Sequence, residues 1–126
     1  MVIIDTDILV DLLRMHTGAQ NWFASLSYVP AISGISLMEA IQGCRNAQEA
    51  RNLLRFSAPF QISWPTEADC QRALAYFSTF YLSHGVGLLD TLIGACASGR
   101  DAVLYTFNIR HYNIIPDIRV EQPYYR

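Results

Sequence analysis

The chain has 126 residues, 52% of them hydrophobic and 16% charged, with a formal net charge of −2. That length encloses one hydrophobic core and not two, so a single domain over residues 1–126 is expected. All nine basic residues are Arg and none is Lys, which excludes chemistry that needs a lysine ammonium, and the overall charge carries no basic footprint for nucleic acid. Cys44, Cys70 and Cys96 are widely spaced and odd in number, supporting neither a disulfide framework nor a zinc site. The first residues lack the basic region of a signal peptide, and no apolar run approaches the roughly 18 residues of a membrane span. A cytoplasmic protein without membrane attachment is the expectation.

Val2-Ile3-Ile4 is a short β-branched run, the pattern of a buried parallel strand. Thr6 or Asp7 then caps a helix carrying Ile8, Leu9, Leu12 and Leu13 at helical spacing. A second helix is expected from Gly18 to Ser27, with Trp22, Phe23 and Leu26 on one face, and "YVPAIS" (28–33) reads as a strand. Ser36 caps the next predicted helix, whose packed stripe is Leu37, Ala40, Ile41 and Cys44. "AQEARNLLRF" (47–56) is helical with alternating charges on its exposed side, and "FQIS" (60–63) is a short strand. Thr66 to His84 opens with a capping Thr and early acids and reads as one long helix, which "GVG" interrupts. "LLDTLIGACASG" (88–99) is a helix with Gly99 as its expected C-cap; "AVLYTF" (102–107) is a buried strand and "IRVEQP" (118–123) a last strand near the edge. Alternation of strands and helices without a linker predicts an α/β fold, a three-layer α/β/α sandwich around a mostly parallel sheet.

In such a sheet, ligands bind beyond the carboxyl ends of the strands. Asp5 ends the first strand and Thr106-Phe107-Asn108 ends the "AVLYT" strand, while Glu39 and Asp90 lie near the beginnings of helices. Glu39 falls away from its helix's apolar stripe, and Asp90 lies about 100° from the stripe of Leu89, Leu92, Ile93 and Cys96. Read singly, these are acids favoured by the helix dipole. Read together, several carboxylates at one rim repel one another unless a cation neutralises them, and all-oxygen ligands favour Mg²⁺ or Mn²⁺. Such an ion suits phosphodiester hydrolysis.

The stretches "VIIDTDILVDLL", "ISLMEAIQG", "GLLDTLIGACA" and "LYTFNIRHYNII", with a final "PYY", resemble in order and spacing the motif blocks of PIN-domain ribonucleases, in particular VapC-type toxins of bacterial toxin–antitoxin pairs. The resemblance covers essentially the whole chain. It implies a PIN-like fold, Mg²⁺- or Mn²⁺-dependent endoribonuclease activity on an RNA substrate (transfer and ribosomal RNA are the candidate classes), a cognate antitoxin and a homodimer. Position by position, it implies Asp5, Glu39, Asp90 and Asn108 as the catalytic set, with Asp5, Asp90 and Glu39 as metal ligands and Thr6, Asp7 and Thr106 in support. The family often has Asp where Asn108 stands, so this chain brings one charge fewer, and a firmly held first metal with a weaker second is expected. Asp7 reads as a helix cap, the alternative being contact with the metal through water; Asp11 reads as a solvated surface acid, and His111 as packing locally rather than serving as a general base. Trp22, Phe23, Phe77, Phe80 and Tyr81 read as core or dimer-interface aromatics. Arg45, Arg51, Arg55 and Arg110 are candidates for RNA phosphates, a role that suits guanidinium, or for plain helix surface.

Two other readings compete. "IIDTDILV" distantly suggests an Asp-based phosphatase, but those enzymes normally require the Lys that this chain lacks. A non-cleaving PIN-fold module that binds RNA or protein rests on Asn108 alone, against three acids.

Overall fold

The structure, a computed structural model, describes residues 1–126. In chain order the elements are β1 (Val2–Ile4), α1 (Thr6–Leu13), α2 (Thr17–Ser25), β2 (Ala31–Ser33), α3 (Gly34–Gln42), α4 (Ala47–Ser57), β3 (Gln61–Ser63), α5 (Glu67–His84), α6 (Leu88–Gly99), β4 (Val103–Tyr105), α7 (Ile109–Tyr112) and β5 (Arg119–Glu121). The five strands lie in the order β3-β2-β1-β4-β5, and every neighbouring pair is parallel. The expected sandwich is therefore present, with a sheet that is parallel throughout.

Successive side chains point to opposite sides, and β1 and β2 are buried on both. Ile3, Ala31 and Leu104 pack with Ile93 of α6, Tyr112 of α7 and the flanking Val86 and Ile115, with Tyr76, Phe77 and Phe80 of α5 against them. Ile4 and Ile32 pack on the other side with Ile8, Leu9, Leu12, Ala40 and Leu53 of α1, α3 and α4. The chain steps from β1 out to β3, then crosses back to lay β4 on the far side of β1. Parallel crossovers of one hand put the helices of the two halves on opposite faces. The direction of winding reverses between β1 and β4, so the crevice beyond those two strand ends is the natural ligand site.

Helix ends depart from the sequence pattern where a side chain outcompetes its neighbour for the first free N–H groups. Asp5, rather than Thr6 or Asp7, caps α1 by accepting from the Thr6 N–H. Ser33, rather than Ser36, caps α3: its hydroxyl accepts from Ile35 N–H at 3.1 Å, and Ser36 is drawn into the interior with its hydroxyl unpaired. Helix α6 ends on Gly99 and is stopped by Asp101 in the left-handed region (φ 52°), so Gly99 is not the cap. Gly99 is small for a different reason: a Cβ there would overlap the Asp69 carboxylate. Asp69 is buried at the start of α5, where it accepts from Thr66 N–H (2.9 Å), Arg72 (2.7 Å) and Arg100 (3.3 Å), clamping α5 to α6. The expected Thr66 cap is realised as a reciprocal capping box with this same Asp69.

Asp11 is a correction to the surface reading. It accepts from Tyr124 Oη at 2.7 Å and Arg126 Nε at 3.0 Å. The Arg126 guanidinium lies 4.2 Å above the Phe107 ring, and Tyr124 meets Phe107 and Trp22 at 5.0 and 6.1 Å between ring centres. Residues 124–126 thus fold back over α1 and fasten the loop that follows β4. No helix is long and apolar enough to cross a membrane.

Candidate active site

Asp5 is the first residue past β1. Its N–H donates to Tyr105 O at 2.9 Å, continuing the sheet ladder, so its carboxylate is fixed by the backbone of the two central strands. It is buried, and both of its oxygens are engaged. Oδ1 accepts from Thr6 N–H (2.8 Å), while Oδ2 accepts from Thr106 Oγ1 (2.8 Å) and Tyr112 Oη (3.1 Å). Three donors occupy three of about four lone-pair positions, leaving one free on Oδ1.

Asp90, in the first turn of α6, accepts from Asn108 Nδ2 at 2.9 Å on Oδ2 and stands 3.4 Å from Tyr112 Oη on Oδ1. Glu39, on α3, accepts from Thr6 Oγ1 at 2.5 Å. Asp7 is turned inward, with Oδ2 accepting from Phe107 N–H (2.9 Å) and from Thr106 Oγ1 (3.3 Å). Its Oδ1 takes the free Ile8 N–H at 2.8 Å, so it serves the helix start without being its cap and chiefly ties α1 to the loop after β4. Asn108 spends its amide nitrogen on Asp90 and its carbonyl oxygen on His111 Nδ1, which accounts for the local packing expected of that histidine. Asp5, Thr6, Asp7, Glu39, Asp90 and Asn108 line one cleft of about 330 Å³.

The charge in this cleft is largely uncompensated. Burial, then the Asp7 charge and more weakly that of Asp90, push the Asp5 carboxyl up to about 7 against the hydrogen bonds from Thr106 and Thr6. Asp7 is also raised, chiefly by burial, although its bonds to Phe107 and Ile8 and the charge of Arg126 hold it back. No cluster of three or more His, Cys, Asp or Glu side chains closes tightly enough to enclose an ion unaided. Mg²⁺ keeps several waters and is commonly bound by one or two carboxylates, so an ion of that kind does not require a closed cluster. Asp5 and Asp90 form such a pair, with Glu39 on the α3 side, and oxygen is the donor element of all three carboxylates.

The arginines are not gathered at this cleft. Arg45 pairs with Glu49 at 3.0 Å and lines an adjoining groove of about 660 Å³ that shares Thr6 and Glu39 with the cleft. Arg14, which the sequence pattern did not single out, stands in the same groove above Val10, Leu13, Ala40 and Cys44. Arg51 and Arg55 lie one turn apart on the side of α4 away from buried Leu53, and Arg110 is exposed on α7. The residue most clearly missed is Tyr112. It is wholly buried, and the signal for it was an aromatic phenol one helical turn after Asn108, in an element too short to show periodicity.

A family model described as "PIN domain" matches residues 2–115. The chain is 34% identical to Ribonuclease VapC10 of Mycobacterium tuberculosis over 122 residues, which is 94% of this chain and 91% of that protein. It is also 34% identical to Ribonuclease VapC19 of the same organism over 125 residues, 94% of this chain and 98% of the relative. Among solved structures, a toxin–antitoxin complex from Klebsiella pneumoniae superposes with a TM-score of 0.81 at 25% identity, covering 100% of both chains. VapBC2 of Rickettsia felis, bound to a promoter DNA fragment, superposes at 0.78 with 26% identity over 97% of this chain and 98% of that one. With this likeness running from β1 through α7, the chain belongs to the PIN-domain family and, within it, to the VapC-type ribonucleases.

Proposed function

We propose that this chain is the endoribonuclease toxin of a toxin–antitoxin pair and hydrolyses RNA phosphodiester bonds with a divalent cation held by Asp5, Asp90 and Glu39. The observation that carries the reading is the Asp5–Asp90 pair, two carboxylates sharing one tyrosine hydroxyl in an open cleft that no Lys or Arg lines. When bound there, Mg²⁺ or Mn²⁺ would acidify a water and offset the charge that builds on an attacked phosphate. Asp5 is held by the strand ladder and by Thr106, which limits its rotation. Thr6 aims Glu39, and Asn108 aims Asp90. Asn108 has its oxygen on His111 and acts by orienting Asp90, which makes it a positioning residue and not a base.

The 660 Å³ groove opens directly from the cleft at Thr6 and Glu39, so a protein segment seated there blocks RNA entry, as an antitoxin must. Exposed Leu74 and Leu88 flank an apolar groove between α5 and α6 lined by Cys70, Ala73, Phe77 and Leu92; this supports the homodimer. The decisive assay incubates the protein with structured RNA and Mg²⁺ or Mn²⁺. Cleavage that needs the cation and disappears in Asp5→Asn and Asp90→Asn is expected. Intact RNA bound tightly under the same conditions supports a non-cleaving module instead.

A further inference from the structure

Tyr112 belongs to the helical turn after β4, yet its hydroxyl lies in the acid cluster. The ring is seated on Gly94 of α6: a Cβ at that position would stand 3.3 Å from Tyr112 Cε1, and Ile118 closes the same space. Tyr112 has no exposed surface, so the ring has no room to turn away and the hydroxyl oxygen stays among the acids. The hydroxyl oxygen stands 3.1 Å from Asp5 Oδ2 and 3.4 Å from Asp90 Oδ1. One proton serves two acceptors, and the shorter contact marks Asp5 as the main recipient.

We propose that Tyr112 is a positioning residue of the metal centre, its buried hydroxyl setting the separation of Asp5 and Asp90 and turning Asp5 Oδ2 inward so that Oδ1 faces the cation. The inference rests on the metal reading above. Burial without charge would be served by Phe; a hydroxyl aimed between two carboxylates adds nothing to packing. Its effect is to hold together two groups that repel in the absence of a cation and to orient both for one. Outer hydrogen bonds of this sort typically govern metal affinity by about 10- to 100-fold.

The test compares wild-type and Tyr112→Phe protein, titrated with Mn²⁺ in a calorimeter, with melting followed in chelator at pH 5. A loss of at least about tenfold in Mn²⁺ affinity, by a variant that still melts cooperatively, is expected. Equal affinity in the two proteins overturns the inference while leaving the metal reading intact. Wild-type protein that binds no Mn²⁺ overturns both. A measurement on wild-type chains guards against a variant that fails to fold. With ¹³C at tyrosine Cζ, adding Mg²⁺ is expected to move the resonance of the buried phenol saturably, and a resonance that does not move refutes the proposal.

Discussion

Asp5→Asn should make the metal-free protein more stable while destroying its site. Burial and the neighbouring acids lift the Asp5 carboxyl from 3.8 in an unfolded chain to about 7. At 1.36 kcal/mol per pH unit, holding it ionised costs the native state about 4 kcal/mol. The folded protein binds this proton more tightly than the unfolded one. Stability is therefore fullest below about pH 4 and is lost as pH rises through 7. Asn carries no charge, and its amide finds partners, since the Thr106 and Tyr112 hydroxyls can turn from donors into acceptors. In chelator at pH 8 the variant should be more stable by about 2–4 kcal/mol, or roughly 6–15 °C in melting temperature for a domain of this size. The advantage should shrink by about 1.4 kcal/mol per pH unit on going from pH 7 towards pH 4. Circular dichroism melts at pH 5 and pH 8 measure both quantities. A variant that melts lower than wild type at pH 8, or whose advantage is the same at the two pH values, refutes the electrostatic account of the cleft.

Asp90→Asn should abolish cation-dependent stabilisation, so that a concentration of Mn²⁺ near 100 times the wild-type Kd, worth about 2.7 kcal/mol to wild type, leaves the variant's melt unmoved. Asn108→Asp replaces the donor on Asp90 with a fifth cleft carboxylate. It should cost about 1 kcal/mol without metal and tighten Mn²⁺ binding, as read by calorimetry. Asp69→Ala removes the acid shared by Arg72 and Arg100 between α5 and α6, and should lower stability by about 3 kcal/mol in denaturant melts while leaving Mn²⁺ affinity within about twofold. That last limit separates the clamp from the site.

What the residue pattern revealed and what it hid follow from how far apart the partners lie. Asp5, Glu39 and Asp90 were legible because each sits at a strand end or a helix phase that local periodicity defines. The strands and long helices were legible for the same reason. Ser33 displaced Ser36 as a cap because both offer a hydroxyl and three residues of tertiary shift decide between them. Asp11 looked solvated because its partners, Tyr124 and Arg126, are 113 and 115 residues away. Tyr112 was invisible for a related reason. A four-residue helix has no stripe to read, and its two acceptors are 107 and 22 residues distant.

The pairing of β1 with β4 also governs when the supported acid cluster can exist at all. The hydroxyl of Thr106 reaches Asp5 across 101 residues, and closing a loop of that length costs on the order of 4 kcal/mol in chain entropy before any contact repays it. Contacts of such separation slow folding and form late. A chain with β1, β2 and β3 assembled and β4 still undocked has a hydrophobic half-core but no Thr106, Asn108 or Tyr112 beside its acids. The hydrogen-bonded acid cluster is therefore a property of the completed fold, and any excursion that lifts β4 and α7 from the sheet takes its supports away.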